Sequence, residues 1–101
     1  MDRKGEKTQK AQLSAVRIAI NEVDEQMVTL IARRERLVRI AGTLKADKAA
    51  VLAPARVDQV IDRVRQLAAE KKVDPEVAEA TYRAMISAFI ELELRVQSHR
   101  A

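Results

Sequence analysis

The chain has 101 residues, enough for one domain, and only four are Gly or Pro while 48% are apolar and 34% charged, a balance that suits helices and argues against a sheet-rich fold. There is no Cys and a single His, His99, close to the C-terminus. Disulfides, thiolate metal sites and cysteine nucleophiles are thereby excluded, a metal hydrolase or a triad enzyme is not expected, and no metal or other cofactor is called for. The net charge of +4 comes from charges that alternate in sign, with only Tyr82 and Phe89 available to stack on bases, so no nucleic-acid partner is expected.

Met1 to Lys10 is polar and charged, reads as a disordered leader, and has no apolar core of a signal segment. No run is apolar for long enough to span a bilayer, so the expectation is a cytoplasmic protein with no membrane partner. Residues 11–101 then form one all-α domain. From Leu13 the apolar positions fall at Val16, Ile20, Val23, Met27 and Leu30, and the 3-4 spacing resumes at Leu37, Ala41 and Leu44. This heptad seam predicts one long helix from about Lys10 to about Lys45. At 1.5 Å per residue it would be roughly 50 Å long, more than a domain of this size encloses, so a second chain is expected alongside it.

A connector over 46–53 follows, and Pro54 opens a second helix with Val57, Val60, Ile61, Val64, Leu67 and Ala68 on its inner face and Lys71-Lys72 at its end. Asp74-Pro75 reads as an N-cap and first-turn proline, starting a third helix with a seam of Ala78, Tyr82, Met85, Phe89, Leu92 and Val96. The predicted fold is three helices, one long, in an intertwined homodimer.

Continuing the seam past Leu30 lands on Arg34, a permanent charge where the pattern requires a hydrophobe. Such a charge is costly unless an anion meets it, whether a bound carboxylate or a structural partner such as Asp24 or Glu93. Lys45 lies eleven residues further on, three turns and about 20° around the helix, so Arg34 and Lys45 project from nearly one stripe. Together they suit a small dianion, although Lys45 taken alone also fits a helix end that snorkels to water. Arg17 is too far along the helix to reach that ligand within one chain and reads as a surface residue unless a second chain crosses there. Arg56 sits in the first turn of the second helix, where solvated charge is the competing account. Glu93 lies beside the third seam, where burial and nearby cations act on its protonation with opposite signs.

The stretch V-R-I-A-I-N-E-V-D-E-Q-M-V-T-L-I-A-R-R-E-R-L-V-R-I-A-G-T-L-K, Val16 to Lys45, resembles the first helix of the AroQ-class chorismate mutases, with Arg, Ile, Asp, Arg and Lys at that family's spacing. The resemblance runs from about Leu13 to Val96. It implies an intertwined helical dimer with two sites, each taking Arg17 from one chain and Arg34, Lys45, Arg56 and a third-helix side chain from the other. The cations would grip the two carboxylates and the ether oxygen of chorismate, with Val38, Val57 and Phe89 as apolar substrate contacts. Catalytic roles would then fall to Lys45, Glu93 and Arg34. Glu93 stands where many members have a Gln that donates to the ether oxygen, so activity that falls as pH rises is implied.

Two features depart from the mutase pattern. Ala53 and Val57 replace an acidic pair around Arg56, and K-A-D-K-A-A-V-L-A-P-A-R-V, Lys45 to Val57, looks more like the isochorismate pyruvate lyases, which share the fold. The expected activity is rearrangement of chorismate to prephenate. Cleavage of isochorismate to salicylate and pyruvate, action on a 4-amino analogue, and a non-enzymatic dimerisation module are the alternatives.

Overall fold

The computed structural model describes residues 3–99, and among them every regular element is helical. The helices are α1 (Arg3–Leu44), α2 (Lys48–Leu52), α3 (Pro54–Lys71) and α4 (Pro75–Ser98). The three expected long helices are present, and α2 is a short addition inside the predicted connector. The long helix starts at Arg3 rather than near Lys10, so residues 3–10 are helical in a stretch set aside as a leader; Met1 and Asp2 lie outside the described residues.

The chain divides into two units, one ending at Arg34 and one beginning at Glu35. In the first, the described residues are exposed except for half-buried Gly5 and Arg34. Its heptad seam is present but uncovered, with Val16 54% and Leu30 61% exposed. The side-chain pattern thus produces a stripe of apolar surface that this unit does not bury itself.

The second unit holds the core, formed by Val51, Ile61, Val64, Ala68, Ile86 and Phe89. Ile61, Val64 and Ala68 recur every three or four residues, so they align on one face of α3, as the sequence indicates. On α4 the buried face is centred on Ile86, Phe89 and Glu93, to one side of the predicted seam, whose other members are half-buried. Val51, the most buried core residue, is carried by α2.

Local chemistry sets the boundaries. The Asp47 carboxylate accepts from the Ala50 N–H at 2.9 Å and starts α2. Ala53 ends α2 and begins α3 with φ 29° and ψ 64°, a left-handed conformation that costs a residue with a Cβ roughly 1–2 kcal/mol. Lys72 closes α3, also at positive φ, with its N–H directed to the Ala68 and Ala69 carbonyls, and the Val73 N–H returns to Ala68 O at 2.8 Å. Asp74 then accepts from the Glu76 N–H, with Pro75 in the first turn, as its sequence signature predicts.

On the surface, Glu79 of α4 binds Arg65 of α3 at 2.7 Å and Arg83 at 2.8 Å. The hydrogen bond from Arg83, followed by that from Arg65, holds the Glu79 carboxyl below the ordinary value of 4.5. A folded-state value below the unfolded one stabilises the fold above the unfolded value, and the gain is lost as pH falls through the folded one. Thermal melts should therefore find Glu79→Gln less stable than the parent at neutral pH. The difference should shrink as pH falls below 4.5 and vanish once it has passed the folded-state value.

Candidate active site

Lys45 follows the last residue of α1, and its N–H still bonds Ala41 O at 3.1 Å, which continues the helical path and aims the side chain back toward α4. Its Nζ donates to Glu93 Oε2 at 2.8 Å. Glu93 is only 6% exposed, although it sits among the apolar residues of the α4 inner face. A carboxylate removed from water to that degree requires a cation or donors, and Lys45 supplies both. The Lys45 side chain keeps 29% of its own surface accessible, while its carboxylate partner is covered.

Two residues not singled out in the sequence complete this corner. Gly42, the buried residue of α1, lies one turn before Lys45, and a Cβ built on it would stand 3.6 Å from Glu93 Cγ and 3.8 Å from Oε2. Gln97, one turn after Glu93 on α4, directs Nε2 to the Lys45 carbonyl at 3.5 Å, a long contact that adds orientation more than energy. A lone Gly inside a helical pattern was the available signal for the first. The second had none, because an i, i+4 relation to a candidate residue is common in any helix.

The other expected residues are distributed as follows. Phe89 is buried in the second unit, Val38 and Val57 are half-buried there, and Arg56 is exposed on the first turn of α3. Arg17 and Arg34 belong to the first unit, the former exposed and the latter half-buried. Lys45 stands at salt-bridge distance from Glu93. The described residues contain no cluster of metal-ligating side chains and no helix long and apolar enough to cross a membrane.

The family model for chorismate mutase type II matches residues 16–94, which includes Arg17, Arg34, Lys45, Arg56 and Glu93. This chain belongs to the type II chorismate mutase family. Among curated relatives, an isochorismate pyruvate lyase from Pseudomonas aeruginosa is 29% identical over 83 residues, covering 82% of this chain and 82% of that protein. Membership in an enzyme family of this chemistry gives the Lys45–Glu93 pair a setting other than packing. A buried pair adds little net stability compared with a well-packed apolar pair, yet removing one member strands the other.

That asymmetry can be measured. Lys45→Ala should destabilise the fold by about 1–3 kcal/mol, the cost of leaving a charged group buried without its partner. In the double variant Lys45→Ala/Glu93→Met, where no charge is stranded, chemical denaturation should recover most of that loss.

Proposed function

We propose that this protein is a chorismate mutase, converting chorismate to prephenate at a site in which Lys45, Arg34 and Glu93 act on the reacting atoms and Arg17, Arg56, Val38, Val57 and Phe89 hold the substrate. The supporting observation is the partly exposed Lys45 side chain whose ammonium is set on a buried carboxylate, within the span matched by the family. The rearrangement is pericyclic: the ether C–O bond breaks as the new C–C bond forms inside one molecule. No nucleophile is needed. The protein has to restrain a flexible dianion in its folded conformer and offer positive charge where negative charge develops on the ether oxygen.

In this reading Lys45 serves the ether oxygen and one carboxylate, and Arg34 serves the other carboxylate. A protonated Glu93 donates to the ether oxygen from the opposite side, since an ionised one can only accept. Arg17 reaches the site from a second chain. The uncovered seam of α1 supports a homodimer, because moving such side chains from water to an apolar contact is worth about 1.5–3 kcal/mol each.

A second reading, isochorismate pyruvate lyase, is favoured by two observations: the named relative, and the apolar Ala53 and Val57 flanking Arg56. It uses the same cations on an isomeric dianion and releases pyruvate. Incubation with each isomer, followed by chromatography, separates the two. Prephenate from chorismate supports the mutase, salicylate with pyruvate from isochorismate supports the lyase, and silence with both leaves a 4-amino analogue or a non-enzymatic module.

On the active substrate, Lys45→Ala should lower turnover roughly a hundred- to a thousandfold, the usual effect of deleting one preorganised donor. Glu93→Gln should retain or raise mutase activity, since an amide can donate to the ether oxygen where a carboxylate can only accept. For the dimer, sedimentation should give twice the chain mass and the melting temperature should climb with protein concentration. Met27→Glu, which puts a charge in the seam, should abolish both behaviours.

A further inference from the structure

Gly42 is unexpected where it stands. Glycine weakens a helix interior relative to alanine, and a glycine is normally kept there for a close approach that a Cβ would obstruct. Here a Cβ would meet Glu93 at 3.6, 3.8 and 4.0 Å, to Cγ, Oε2 and Cβ respectively. These are ordinary van der Waals distances, so an alanine fits the observed arrangement. Packing in this state does not require the glycine.

What the absent Cβ leaves is space along one side of the Glu93 side chain, at the carboxylate and the two carbons that carry it. That chain is otherwise buried, and its carboxylate lies on Lys45 at 2.8 Å. A methyl group at Gly42 would touch all three atoms and take up that space. We propose that Gly42 is a positioning residue, whose missing side chain gives the Glu93 carboxylate room to swing off the Lys45 ammonium when an anionic ligand takes that ammonium. The inference rests on the reading above in one respect, that the ligand of Lys45 is a substrate carboxylate or ether oxygen.

In the empty protein Glu93 then serves as a built-in anion that keeps Lys45 aimed. Ligand binding displaces it. The competent fraction of molecules is the fraction in which Glu93 has moved away, and the apparent ligand affinity scales with that fraction. Gly42 sets it without touching the ligand.

The test reads Lys45 directly. Trace labelling with acetic anhydride, quantified by peptide mass spectrometry, compares acylation of Lys45 with that of exposed Lys48 and Lys72 in the same molecules. An ammonium held by a carboxylate is protected, so Gly42→Ala should slow Lys45 labelling roughly threefold relative to the reference lysines. Its melting temperature should equal or exceed that of the parent. In the Glu93→Gln background, where the ionic hold is gone, Gly42→Ala should leave Lys45 labelling unchanged. With active substrate, KM should rise by the factor seen in labelling while kcat holds.

Unchanged Lys45 labelling in Gly42→Ala overturns the proposal, as does an equal slowing in the Glu93→Gln background. A lowered melting temperature overturns it too, since the methyl group would then not fit. Slowed labelling in a protein inert toward chorismate and isochorismate upholds the release of Glu93 and removes only the assigned ligand.

Discussion

A carboxylate in an apolar environment has to be answered, and the answer given to Glu93 fixes how the end of α1 meets α4. The Lys45 ammonium binds the carboxylate, Gln97 leans on the Lys45 carbonyl, and Gly42 leaves a methyl-sized space beside the Glu93 side chain. Behind them, Ile61, Val64, Ala68, Ile86 and Phe89 form the apolar body that keeps Glu93 from water. The same body that makes the pair expensive makes its electrostatics strong, because charges shielded from solvent act on one another over short distances with little screening.

This arrangement suits chemistry that runs without proton transfer to a base or a covalent intermediate. A family whose reaction is a concerted rearrangement selects for positioned charge, and a chain rich in Arg and Lys but lacking Cys is well supplied for it. The Glu93 carboxylate accepts from Lys45, where a glutamine amide could donate as well.

Much of the fold was legible because its signals are local. Asp74-Pro75, Pro54 and the recurring apolar residues of α3 each carry a mechanism that works within a few residues, and each element formed where that mechanism placed it. The start of α1 was misplaced because charged residues such as Lys4, Glu6 and Lys7 are good helix formers, and an apolar seam says nothing about a helix that continues without one. Ile86 was missed because the α4 stripe is wide, so spacing alone did not identify its centre. In the site, Lys45 and Glu93 were legible as charges beside apolar seams. Their mutual bond depends on how two distant segments meet, and no local pattern encodes it.

The joint between α2 and α3 carries a different implication. Leu52 ends one helix, Pro54 begins the next, and Ala53 serves as the cap of both in a left-handed conformation. A connection of one residue has no slack. An inserted or deleted residue would have to be absorbed inside a helix, turning everything beyond it by about 100° and carrying Arg56 around the axis of α3. A change of length at this joint is therefore more disruptive to the placement of Arg56 than a substitution there.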